Sequence, residues 1–126
     1  MEIIGEYQGK LTPDLFADVI YDAGSEYGNC MVIIENNTVG FSVLEKLKER
    51  HYPNVYHSIK STHEYIDQVQ AERRSGVIAG FTTSLKTRPL LIAKFEEFIR
   101  NKLLTIYSKR LRSELDTFIW NNGRPE

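Results

Sequence analysis

Four apolar residues, Met31-Val32-Ile33-Ile34, run straight into one acid and two amides, Glu35-Asn36-Asn37, with Gly40 close behind. A short β-branched run bounded by turn residues reads as a strand, and its lack of polar alternation predicts burial on both faces. Strands of that kind need helices on both sides of the sheet, which narrows the fold to the α/β class. In open α/β sheets, ligands bind in the crevice beyond the C-terminal strand ends. Carboxylates are rarely buried without a partner or a metal ion. Glu35 is therefore either a site residue in such a crevice or a strand end that merely reaches solvent.

Punctuation and period arrange the other elements around that strand. Residues 2–8 read as a short strand. Thr12 is a good N-cap, Pro13 fits the first helical position, and Asp14 favours the positive end of the helix dipole. Leu15, Phe16, Val19, Ile20 and Ala23 follow at helical spacing, which predicts an amphipathic helix to about Tyr27, stopped by Gly28-Asn29. Asn36, Asn37 and Thr38 turn the chain and can cap a second helix over 39–51, with Val43, Leu44 and Leu47 as its buried stripe. Pro53-Asn54 breaks that helix, and 55–58 reads as a strand. This β-α-β-α-β alternation predicts a parallel sheet with helices packed on it.

The second half is less regular. Residues 59–76 are polar and weakly patterned, compatible with a short helix capped by Ser61 or Thr62, or with a mobile hairpin. A strong helix starts at Thr87 or Arg88 and runs to about Lys102, carrying Leu91, Ile92, Phe95, Phe98 and Ile99. Pro89 sits in its first turn, where a missing N–H costs nothing. Residues 103–107 read as a strand. Ser108 then caps a last helix with Leu111, Leu115, Phe118 and Ile119 along one face.

Composition excludes more than it selects. At 126 residues the chain is one domain or a piece of one, large enough for a real core. A formal net charge of −1 gives no global basicity, so any nucleic-acid contact must come from local patches. The single cysteine, Cys30, excludes an internal disulfide, suits a reducing compartment and reads as a small buried hydrophobe. No stretch is long and apolar enough to span a membrane, and no signal-peptide pattern opens the chain. There is no nucleophile elbow, phosphate-binding glycine loop or Cys-His pair. His51, His57 and His63 are spaced six apart, which matches neither helical nor zinc-finger ligands. Arg73-Arg74 and Lys109-Arg110-x-Arg112 read as solvated charge runs. Lys86 and Arg88, just before a helix N-terminus, form a basic spot that can contact phosphates, helped by Thr87 and free helix N–H groups. The alternative is that Arg88 pairs with an acid and orders the turn.

Four segments in order resemble one family. Glu-Asn-Asn-Thr-Val-Gly at 35–40, after an apolar strand, resembles the second acidic motif of the nuclease domain in large terminase subunits of tailed phages. Upstream, Gly5-Glu6-Tyr7-Gln8-Gly9-Lys10-Leu11-Thr12-Pro13 is similar to that domain's passage from strand to helix. Downstream, Gly80-Phe81-Thr82-Thr83 followed by Lys86-Thr87-Arg88-Pro89-Leu90-Leu91-Ile92 is similar to its Gly-x-x-Thr and Thr-Arg-Pro segment. Glu114-Leu115-x-x-Phe118-Ile119-Trp120 also fits. Nearly the whole chain takes part, with 58–76 the weak stretch.

The resemblance implies a ribonuclease H-like mixed sheet with flanking helices, and a metal site built from three acids on separate elements. Glu35 matches the middle acid, as catalytic residue and metal ligand. The other two, an Asp on a preceding first strand and an Asp in a following Asp-Asp helix, have no counterpart here. Glu6 and Asp14 match no family ligand. The expectation is thus an internal fragment of the domain, inactive alone, and a chain that opens directly in a strand fits that. In the complete domain the implied chemistry is phosphodiester hydrolysis with magnesium or manganese held between carboxylates. Double-stranded DNA is the implied substrate, contacted here by Lys86, Thr87 and Arg88. The portal and the small terminase subunit are the parent's implied partners, the host cytoplasm its location, and the packaging ATPase lies elsewhere in the parent. Without the first strand, an exposed edge at 30–36 is expected to promote self-association. Competing readings are a non-catalytic α/β module binding DNA or a partner through 86–88, and an assembly module pairing through a sheet edge.

Overall fold

Thr12-Pro13 starts the first helix as local chemistry dictates: the Thr12 hydroxyl accepts the Leu15 N–H at 3.5 Å, and α1 spans Pro13–Glu26. The computed structural model describes residues 1–118 and the backbone of 120–121 and 124–125. Two units emerge, one of Lys10–Arg88 and one of Met1–Gly9 with Pro89–Glu126.

In the 10–88 unit, α1 packs on α2 (Val39–Glu49), which buries the expected Val43, Leu44 and Leu47. Ala17, Tyr52 and Val55 complete this core, with Ile20, Tyr21, Val32, Ile34 and Ala79 packed against it. Complete burial of a side chain like Leu47 stabilises by roughly 1.5–3 kcal/mol. The Tyr52 hydroxyl donates to the Cys30 carbonyl at 2.6 Å, and its ring meets Tyr21 edge-on at 5.7 Å. A side chain at position 24 would collide with the Tyr52 hydroxyl, so Gly24 lets the helix approach.

The sheet differs from the expected parallel one. Strands β2 (His57–Ile59), β3 (Tyr65–Ile66) and β4 (Val77–Ala79) form an antiparallel sheet in the order β3-β2-β4. Within this unit parallel pairing is present as two bridges, Val32 with Val55 and Glu35 with Phe81. The architecture is mixed α/β. The weakly patterned 59–76 stretch supplies β3 and a short helix α3 (Gln68–Glu72), capped by Asp67 rather than Ser61 or Thr62. Gly80, at φ +84°, redirects the chain from antiparallel pairing with β2 to parallel pairing beside Glu35. A β-carbon there would also lie 2.5 Å from the Ile34 carbonyl oxygen.

The apolar run at 31–34 is not buried on both faces. Val32 and Ile34 turn inward and are half-buried, while Met31 is 42 % and Ile33 60 % exposed. Cys30 is exposed as well, not a buried hydrophobe; its backbone carbonyl, rather than its thiol, meets the core at Tyr52. Thr38 fills the N-cap position of α2 without a side-chain cap bond, because its backbone sits at φ 42°, ψ −98°.

The second unit is described separately. Strand β1 (Glu2–Ile3) pairs in parallel with β5 (Thr105–Ile106). Helix α4 (Thr87–Arg100) crosses the unit boundary in its first turn. Its expected stripe is only partly covered, with Leu91 53 % and Ile99 46 % exposed and Ile92, Phe95 and Phe98 half-buried. Helix α5 (Lys109–Asp116) begins where Ser108 accepts the Leu111 N–H at 3.1 Å. Leu111 and Leu115 are half-buried and Phe118 is exposed; Ile119 lies outside the described residues. The short antiparallel pair β6 (Trp120–Asn121) and β7 (Arg124–Pro125) closes the described backbone.

Candidate functional site

Glu35 ends its extended segment as the sequence suggests, exposed, with its backbone bridged to Phe81. The Phe81 N–H donates to the Ile34 carbonyl at 2.7 Å, and the Asn36 N–H donates to the Phe81 carbonyl at 2.9 Å. The turn after Glu35 is tight. The α-carbon of Gly40 passes so close to the Glu35 carbonyl oxygen that any β-carbon would overlap it. Asn37 folds back, its Nδ2 donating to Glu35 Oε1 at 2.8 Å.

Asn36 joins this end to the following glycine-threonine segment. Its Nδ2 donates to the Ala79 carbonyl at 3.0 Å, and its Oδ1 accepts the Thr82 hydroxyl at 3.0 Å. The Thr87 hydroxyl in turn donates to the Thr82 carbonyl at 2.8 Å and accepts the Ser84 N–H at 2.8 Å. Ser84 Oγ accepts the N–H groups of Thr87 at 3.1 Å and Lys86 at 3.2 Å. Ser84-x-x-Thr87 is thus a reciprocal capping box, with Thr87 in the place usually held by Glu or Gln.

Three stretches therefore meet on one unit: 35–37, 80–82 and 84–88. The sequence expectations within them fare differently. Lys86 and Arg88 are exposed on the turn, as a phosphate-contacting pair requires. Thr87 is only 8 % exposed with its hydroxyl directed inward, so it builds the turn instead of presenting a donor to solvent. Of the helix N–H groups expected to be free beside Lys86 and Arg88, those of 86 and 87 are occupied by Ser84, a cap that the Ser-x-x-Thr spacing could have revealed.

The donor set around Glu35 is one carboxylate, with Asn36 engaged at both ends of its amide and Asn37 already on Oε1. Among the described residues no three His, Cys, Asp or Glu side chains gather closely enough to hold an ion. Magnesium and manganese take several oxygen ligands, so these residues alone do not fit either ion. Glu6 lies at the other unit and forms a 3.0 Å ion pair with Arg110, and Asp14 occupies the first turn of α1.

Two concavities mark the 10–88 unit. The larger, about 960 Å³, lies between α2 and the antiparallel sheet and includes His51 and His57. Its polar rim mixes Glu45, Glu49 and Glu72 with Lys48 and Lys60, which selects no ligand charge. The smaller, about 340 Å³, is lined by Phe16, Ile20, Ile33, Ile34, Val39, Gly40 and Val43, with Glu35 at its margin. Beside it runs the open edge of the extended segment 31–36, which forms two isolated bridges rather than the regular strand expected there. Val32, Ile34 and Asn36 direct their backbone bonds to one side, first to 54–56 and then to Phe81. Alternate residues of a strand face opposite sides, so the groups of Met31, Ile33 and Glu35 face the other. Among the described residues, no partner meets the N–H groups of these three.

No helix among the described residues is long and apolar enough to cross a membrane. Comparison with protein-family models, curated proteins and solved structures finds no match to this chain.

Proposed function

We propose that this chain is part of a ribonuclease H-like nuclease domain of a phage large terminase subunit, which cuts concatemeric viral DNA by metal-ion-dependent phosphodiester hydrolysis. The observation that carries the reading is the meeting of 35–37 with 80–82 and 84–88. Segments that resemble two family motifs, the acidic one at 35–40 and the Gly-x-x-Thr and Thr-Arg-Pro one at 80–92, lie against one another through backbone and side-chain bonds, from Asn36 to Thr82 to Thr87. Glu35 supplies one of the acids, at a strand end beside a groove. Lys86 and Arg88 supply positive charge for the DNA backbone, which attracts cations irrespective of sequence.

The open edge at 31–35 supports the same reading. A sheet edge with unpaired N–H groups and an exposed Ile33 is a template for one more strand. In the proposed domain that strand brings a further acid next to Glu35. In the isolated chain the same edge favours pairing between copies.

The test uses a domain in which Glu35 stands with both further acids. Glu35→Ala should abolish nicking of supercoiled plasmid while thermal unfolding stays unchanged, because the exposed carboxylate contributes chemistry and not packing. The chain described here should not nick plasmid in magnesium or manganese. Normal nicking by the Glu35→Ala domain would refute the assigned role.

A further inference from the structure

We infer that Asn36, Thr82 and Thr87 form a positioning relay that fixes the basic turn at 86–88 relative to the Glu35 strand end. The inference rests on the proposed reading for its purpose, but its geometry stands alone. Each link is a hydrogen bond made by at least one side chain, to a group far apart in sequence or across a turn. Asn36 bonds to the Ala79 carbonyl and the Thr82 hydroxyl, both at 3.0 Å. The Thr87 hydroxyl holds the Thr82 carbonyl at 2.8 Å. The last link is the reciprocal Ser84–Thr87 cap, which places the amide of Lys86 on Ser84 Oγ.

Chemistry makes each member specific. The Asn36 amide donates at one end and accepts at the other, so a carboxylate there would face the Ala79 carbonyl with no proton to offer. Thr82 donates with its hydroxyl while its own carbonyl accepts from Thr87, which makes it the junction. Thr87 is buried and must donate and accept at once; valine would fill the space but leave the Thr82 carbonyl and the Ser84 N–H unmet. Gly80 tightens the assembly, since a β-carbon there would stand 3.0 Å from the Asn36 β-carbon. An acid and a basic turn set at a fixed separation suit one duplex strand, with phosphates on the turn and a reacting bond near the acid. These three are positioning residues.

Coupling through a shared network is reciprocal, which gives the test. Amide hydrogen exchange by NMR should show Lys86 and Thr87 exchanging roughly five- to tenfold faster in Thr82→Val, as expected for loss of one ordinary hydrogen bond. Thr82→Ser should restore wild-type exchange. Thr87→Val should be felt in the opposite direction, at the Asn36 and Phe81 amides. The Tyr27 and Gly28 amides, bonded to the Ala23 and Ser25 carbonyls at the C-terminal end of α1, open locally without breaking the relay and should be unaffected in every variant. Exchange at 86–87 unchanged in Thr82→Val would overturn the relay, as would an equal acceleration at Tyr27 and Gly28. Anisotropy with a short labelled duplex tests the purpose separately. Thr82→Val and Lys86→Ala should each weaken binding several-fold, and their combination should weaken it no further. If Lys86→Ala binds the duplex as wild type, the DNA reading fails while the exchange result still decides the relay. If the two losses multiply, Thr82 does not act through the turn, and the relay is overturned.

Discussion

Every described residue that is buried lies between positions 10 and 88; residues 1–9 and 89–118 contain none. The first region is held by apolar packing around Leu47 and Tyr52, at 0 % and 1 % exposure. The second is organised by devices at the surface: the Ser108 cap, the Glu6–Arg110 pair, and Lys94–Glu97 and Arg100–Glu96 along α4. Exposed ion pairs of this sort contribute about 0–1 kcal/mol each, whereas one core leucine contributes several times that. Similar helical patterns in sequence thus lead to two different kinds of stability.

Substitutions can break that contrast. Leu47→Ala should cost about 2–5 kcal/mol in urea unfolding, because it removes a packed side chain and leaves a cavity. Tyr52→Phe should cost less, about 1–2 kcal/mol, by stripping the Cys30 carbonyl of its donor. It should also change the alkaline limb. Burial first, and the neighbouring Cys30 second, push the Tyr52 phenol above its ordinary value of 10.0. The unfolded chain therefore loses that proton first as pH rises. The contribution is fully present below pH 10.0 and is lost as pH climbs through the raised folded value. Wild-type urea midpoints should fall more steeply above pH 10.0 than those of Tyr52→Phe; parallel curves would show that the buried phenol is not responsible. The smallest effect should come from Leu91→Ala, within about 0.5 kcal/mol, as for a surface residue. A loss comparable to Leu47→Ala would mean that α4 is packed as firmly as α2 and would erase the distinction between regions.

How far the sequence could be read follows the same division between local and distant causes. Thr12-Pro13-Asp14, the Val43-Leu44-Leu47 stripe and Ser108 act within a turn or two, and the elements they define stand where expected. The parallel pairing expected between 31–34 and 55–58 is present as the Val32–Val55 bridge, whereas the antiparallel partners of β2 come from the weakly patterned stretch and from 77–79, where no local signal marks a strand. Apolarity alone predicts burial for Cys30 and Ile33, but burial on a second face needs a neighbour that the run does not specify. At the site, the exposure of Glu35 was legible. The Asn36–Thr82 bond was not, since nothing local tells an asparagine which distant hydroxyl it will meet. Ser84-x-x-Thr87 and Asp67-x-x-Gln70 are caps with a weaker sequence signal, because both depart from the common Ser/Thr-x-x-Glu spelling.

The edge of 32–36 is shared between two partners, and this sets a calendar for synthesis on the ribosome. Val32 can find Val55 as soon as residues 54–56 have emerged, by which time α1 and α2 can already pack. The Glu35 end must wait until Phe81 and Thr82 arrive, so within the 10–88 unit its closing contacts are more distant in sequence than the Val32–Val55 pairing and slower to search out. A nascent chain paused between those points would carry a finished helical pair and an unfinished acid end. Synonymous codons that slow translation across 57–80 should therefore lengthen the exposure of Glu35 and its neighbours without touching the helices.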